Sequence, residues 1–165
     1  MATKTRLEKH QTPVFIDASE TYNSATWTPD WKRVELSTTF ALNPNPQTET
    51  LDFIAYENPV EEITKYQPEL PLECATYEGD PAFDFVYKMF KKRPVGAEAY
   101  VPTLICFAGS DKDAWQIQQT TMVLGEFNSV DRKISFTQKF GGDIEDGTYT
   151  ITDGKPTFTA KTTSK

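Results

Sequence analysis

A mainly β fold with a single helix is what this chain predicts, from three features. Apolar and polar residues alternate with period two in several separate stretches, turn residues break those stretches at short intervals, and one isolated segment has helical period. At 165 residues a folded chain buries roughly 70% of the surface its unfolded form exposes, enough for one core without metal or disulfide staples. One domain over 13–159 is expected, preceded by a polar arm at 1–12 and followed by a Lys/Thr tail at 160–165.

The elements follow in order. The opening stretch MATKTRLEKHQ is charged and has no period, so ordered structure is expected from about Pro13. From Trp31 to Leu42 the residues Val34, Leu36, Phe40 and Leu42 alternate with Arg33, Glu35, Ser37 and Thr39, which reads as one strand with a wet side. Asn43-Pro44-Asn45-Pro46 stops it, because each proline removes a ladder donor, and the extended run at 50–56 then predicts a hairpin partner. Residues 57–71 are acidic, contain prolines and show no period, so they predict a long loop. After a short strand at 72–77, Asp80 and Pro81 supply an N-cap and a first-turn proline. The helix they open, over about 80–93, puts Phe83, Val86, Tyr87 and Phe90 on one face, with Lys88, Lys91, Lys92 and Arg93 at its C-terminal end.

Residues 99–108 are rich in β-formers. The stretch 115–124 sets Trp115, Ile117 and Val123 against Gln116, Gln118 and Thr120. In 133–140, Ile134, Phe136, Gln138 and Phe140 face away from Lys133, Ser135, Thr137 and Lys139. These two predict a long antiparallel hairpin turning near 126–131. Gly141-Gly142-Asp143 and Asp153-Gly154-Lys155-Pro156 read as turns around a last short hairpin.

Chemistry is harder to place. The net charge of -7 repels a phosphate backbone, which argues against a sequence-specific DNA binder and suits a surface past which DNA slides. The charged N-terminus lacks the apolar run of a secretory signal, so cytoplasmic synthesis is expected, with no membrane binding by this chain. The single histidine, His10, sits in the polar arm and leaves no His-centred triad or multi-His metal site. Cys74 and Cys106 lie in separate apolar stretches and read as buried free thiols. The glycine clusters lack the spacing of a phosphate loop. No cofactor, metal or catalytic constellation is therefore expected, although scattered carboxylates leave a glycosidase-like pair open and Trp27, Trp31 and Trp115 leave a sugar-stacking platform open. Packing between layers is the ordinary use of strand aromatics.

The order of these segments resembles that of the tail tube (major tail) proteins of long-tailed bacteriophages. The wording that carries the resemblance is the ending, Gly142-Asp143-Ile144-Glu145-Asp146-Gly147-Thr148-Tyr149 and then Asp153-Gly154-Lys155-Pro156-Thr157-Phe158-Thr159. The resemblance implies a β-sandwich of two roughly orthogonal antiparallel sheets with one flanking helix. It further implies a virion subunit assembled in the host cytoplasm, stacking as hexameric rings into a channel for DNA ejection, beside tape measure, tail terminator and distal tail proteins. The tube of a contractile injection or type VI secretion device would share the fold. On this reading 57–71 is the ring-stacking loop, with Val60, Glu61, Glu62, Ile63, Tyr66 and Leu70 as its contacts. The lumen-facing candidates are Arg33, Glu35, Ser37 and Thr39 on one strand, Gln116, Gln118 and Thr120 on a second, and Lys133, Ser135, Thr137 and Lys139 on a third. That set carries both charge signs.

Overall fold

The structure is a computed structural model that describes residues 3–22 and 25–162. Its strands are β1 (Val14–Asp17), β2 (Trp31–Arg33), β3 (Ser37–Phe40), β4 (Pro46–Leu51), β5 (Val60–Tyr66) and β6 (Glu69–Ala75), then, after the helix α1 (Pro81–Lys92), β7 (Thr103–Cys106), β8 (Asp113–Asn128), β9 (Lys133–Thr152) and β10 (Lys155–Ala160). Eight strands form one antiparallel sheet in the order β2-β1-β7-β8-β9-β6-β3, with β10 also paired to β9; β4 and β5 form a separate two-stranded ribbon.

The sheet is rolled. β2 and β3 stand at opposite ends of the strand path, yet only residues 34–36 connect them. That link spans at most about 14 Å, whereas the ends of a flat seven-strand path lie roughly 29 Å apart. The link clips the two ends together: the Val34 amide donates to the Val14 carbonyl in β1, and the Ala75 amide of β6 donates to the Leu36 carbonyl. The expected single strand over 31–42 is thus two short strands, because the chain crosses from one end of the sheet to the other between them. Val34 and Leu42 pack against the core while Leu36 and Phe40 stay exposed.

The interior of the roll is one apolar cluster drawn from both halves of the sheet. Val14, Ile16, Ile105 and Ile117 come from one side, and Leu72, Ile134, Phe136 and Phe140 from the other. Helix α1 adds Phe83, Phe85, Val86 and Met89 to it. The helix begins as its sequence dictates: the Asp80 carboxylate accepts from the Phe83 amide, Pro81 occupies the first turn, and Arg93 ends it in the left-handed region with its amide donating to the Met89 carbonyl. Tyr87 and Phe90 lie on Phe127 of β8.

Strands β8 and β9 run through both halves, and the corner falls at a register shift between Ile117 and Gln119. Gly142, at φ 63°, takes up the extra β9 residue opposite, and a side chain there would run into Gln119. Gly141-Gly142-Asp143 is therefore a bulge inside a continuous strand of 20 residues, where a turn was expected. Sheets that pack orthogonally change layer at such bends, so the single ladder supplies both layers of a sandwich-like fold. The Asp153-Gly154 turn forms as expected, with both residues at positive φ.

Two further expectations are corrected. The run at 50–56 does not pair with the strand before it; β4 pairs with β5 instead. And the loop expected at 57–71 is largely strand, β5 followed by the start of β6. Period two arises only when one face is buried, and β5 is exposed along its whole length, so its residues carry no alternation.

Candidate assembly surfaces

The first surface is the outer face of β6, β9 and the distal half of β8. Along β9, Ile134, Phe136, Gln138 and Phe140 point into the core, which turns Lys133, Ser135, Thr137 and Lys139 outward. Across the ladder Glu69 sits opposite Lys139, Pro71 opposite Thr137 and Glu73 opposite Ser135; on the other flank Thr121 and Val123 continue the rows. Thr39 of β3 pairs with Glu73. One ion pair forms on this face: Lys133 lies 3.0 Å from the Glu73 carboxylate, and that hydrogen bond, with a second from Thr38, holds the Glu73 carboxyl below its ordinary range. The face is polar, mixed in sign and rich in hydroxyls.

The structure brings only part of the sequence-derived lumen set together. Thr39, Lys133, Ser135, Thr137 and Lys139 share this face, and Ser37 sits at its edge with its hydroxyl bonded to the Thr39 and Glu73 backbones. Arg33 and Gln116 belong to a different row, Arg33-Phe15-Leu104-Gln116-Glu145, on the far side of the corner, where Gln116 donates to the Glu145 carboxylate at 3.0 Å. Glu35 lies exposed in the link between β2 and β3, and Gln118 at the bulge. Thr120 is a correction: it is 0% exposed and donates to the Ile117 carbonyl. Core-facing residues on β8 are odd-numbered up to Ile117 and even-numbered from Thr120, a parity flip at the bulge that simple alternation misses.

The second surface is the β4–β5 ribbon with its tip at 52–59. Ile63 is 53% exposed, Tyr66 58%, and Ile54 at the tip has no cover at all, while Phe53 and Tyr56 make only an edge-on contact with each other. By register, Ile63 and Tyr66 share a face with Thr48 and Pro46, and Val60, Glu49 and Glu62 share the other. Glu49 and Glu62 stand directly opposite, an unfavourable like-charge pair. Residues 46–66 hold five acids and one lysine. A two-stranded ribbon exposed on both faces is marginal by itself. Leu70 drops out of this surface: it lies in β6, fully buried in the core.

One organising residue was missed in the sequence. Asp17, 2% exposed, accepts four hydrogen bonds, from the Ser19 amide and hydroxyl, the Trp27 indole at 2.8 Å and the Asp30 amide. It ties down the chain between β1 and β2. A lone Asp at the end of a four-residue apolar run gives no periodic signal. The three tryptophans do not make a platform: Trp27 and Trp31 pair edge to face, Trp31 backs the outer cluster around Phe15, and Trp115 packs on Phe107 against the inner core. Cys74 and Cys106 are buried in separate clusters, and burial pushes both thiols up to about 12. Among the described residues no group of His, Cys, Asp and Glu could hold a metal ion, and no helix is long and apolar enough to cross a membrane.

No protein-family model matches the chain, and no curated protein matches it. Solved structures do. A chain of the sheath/tube terminator of an extracellular contractile injection system, in its extended state, aligns with a TM-score of 0.53 at 7% identity, covering 88% of this chain and 99% of that one. A chain of the tube-terminating cap of the anti-feeding prophage aligns at 0.54 and 10% identity, over 90% and 95%. These likenesses are of fold and span nearly the whole of both chains.

Proposed function

We propose that this chain is a non-enzymatic structural subunit of a phage tail tube, assembled in the host cytoplasm into stacked, hexameric rings around a channel for DNA ejection. The observation that carries the reading is the β4–β5 ribbon, which projects apolar residues on a scaffold with nothing of its own to cover them. Subunits that complete one another in a closed ring or stack bury such features, and the open margins of β3 and β10 as well. The fold shared with chains of two tube-ending assemblies supports a tail component.

In this reading the outer face bearing Thr39, Lys133, Ser135, Thr137 and Lys139 lines the lumen. Its hydroxyls and the Lys133–Glu73 pair leave a sliding polymer little fixed counter-charge beyond Lys139, while the acidic chain as a whole repels phosphate. The ribbon residues Val60, Glu61, Glu62, Ile63 and Tyr66 contact the neighbouring ring. Tape measure, tail terminator and distal tail proteins are its further partners.

A second reading places the chain as the ring that closes such a tube, in a phage or a contractile injection device, and the two structural likenesses favour it because both assemblies terminate tubes. Electron microscopy of the concentrated, purified protein separates them. An elongating subunit gives tubes of many rings, a closing subunit gives single rings that cap added tubes, and a strictly monomeric protein that neither self-assembles nor joins tail components overturns both.

A further inference from the structure

A cleft of about 820 Å³ opens between the N-terminal arm and the end of β9, lined by Leu7, His10, Arg33, Lys112, Tyr149 and Ile151 among others. In a chain with 24 acidic and 17 basic residues, this wall carries Arg33 and Lys112 and no carboxylate. Both cations are held there: an Arg33 nitrogen donates to the His10 carbonyl at 3.4 Å, and the Lys112 ammonium lies 5.6 Å from the centre of the Tyr149 ring. Leu7 and Ile151 are exposed in the cleft, beside Thr5, Gln11, Ser110 and Thr150. None of its lining residues comes from the ribbon of the same chain.

We propose that this cleft receives the β4–β5 ribbon of a second copy, an inference that rests on the ribbon being an assembly contact. The two surfaces match in kind. The ribbon sets Glu62 with Val60 on one face and Glu61 with Ile63 and Tyr66 on the other, so both faces carry an acid beside apolar side chains, and the cleft offers Arg33 and Lys112 beside Leu7 and Ile151. A cation inserted beside the ribbon also relieves the Glu49–Glu62 opposition that the isolated ribbon carries. Ribbon and cleft are different patches, so the contact either repeats head to tail into rings or stacks or is exchanged reciprocally between two copies. Docking buries opposite charges beside apolar contacts, which favours specificity and fast association over raw affinity.

Reciprocal charge reversal in the full-length chain tests the pairing, read as the concentration at which assemblies appear by light scattering, with circular dichroism and thermal melts confirming that each variant folds. Arg33→Glu with Lys112→Glu is expected to raise that concentration at least tenfold, and adding Glu61→Lys with Glu62→Lys is expected to restore it. Lys112→Glu alone, on an exposed turn, serves if the double variant does not fold. Loss without rescue overturns the pairing. If cleft reversal leaves assembly unchanged while a ribbon-less variant fails, the cleft is not the receptor and the ribbon reading stands; if the ribbon-less variant also assembles, the ribbon reading itself falls. A short fluorescent DNA duplex is the control: binding that cleft reversal abolishes, with assembly intact, identifies a phosphate site and overturns the proposal.

Discussion

Asp17 shows how much one buried carboxylate organises. Its four acceptor contacts fasten the chain between β1 and β2, and removing it strands an indole, a hydroxyl and two amides. Asp17→Ala is expected to cost on the order of 3 kcal/mol in urea unfolding, whereas Asp17→Asn, which keeps one acceptor oxygen, costs less. At Glu73 the hydrogen bond from Lys133 comes first among the causes that lower its pKa. The depressed carboxyl favours the folded state above its unfolded pKa, and that contribution disappears as pH falls through the lower, folded value. NMR titration of Glu73 should show a midpoint below the usual carboxylate range that moves up in Lys133→Met. An unmoved midpoint would mean the ion pair does not form in solution. Neither residue was singled out in the sequence, since a hydrogen-bond hub depends on segments that meet only after folding. The two thiols were legible as core for the opposite reason, because an apolar strand context alone decides their burial.

Among the elements, the helix's bounds were readable almost to the residue because its signals, Asp80 and Pro81, are local, whereas its buried face was read off-centre: Phe85 and Met89 are buried, and Tyr87 and Phe90 are half-buried against Phe127. The outward set on β9 was readable for a similar reason, one face of that strand being buried. What escaped was set by distant partners. The break between β2 and β3 follows from the rolling of the sheet, the flip at Thr120 from a bulge, and β5 from pairing without burial. Gly142 tests the corner: Gly142→Ala places a side chain at φ 63° against Gln119, so a loss of about 1 kcal/mol or more is expected in denaturant midpoints. The ribbon makes the opposite prediction. Replacing residues 47–65 with a short turn should leave the melting temperature of the unassembled protein nearly unchanged, because the core clusters contain no ribbon residue. A large drop in that temperature would show that the ribbon supports the fold and is not reserved for a partner.

At the scale of the whole molecule, a sheet rolled on itself, closed by a three-residue link and filled by one helix, makes a rigid body that carries two kinds of outward surface. One is polar and carries the Lys133–Glu73 pair, the other protrudes, acidic and apolar together. The resemblance in the sequence's ending has a packing basis: Phe158 of β10 lies over Gly147 of β9, where a side chain at 147 would strike both the ring and the Thr159 carbonyl. The closing words of the sequence are thus a device for seating the last strand. If identical copies complete one another through the ribbon, electron microscopy of the intact and ribbon-less proteins at matched, high concentration will show it. Stacked rings are expected from the intact chain and only unstacked rings or monomers once the ribbon is gone. Tubes of equal length from both would contradict it.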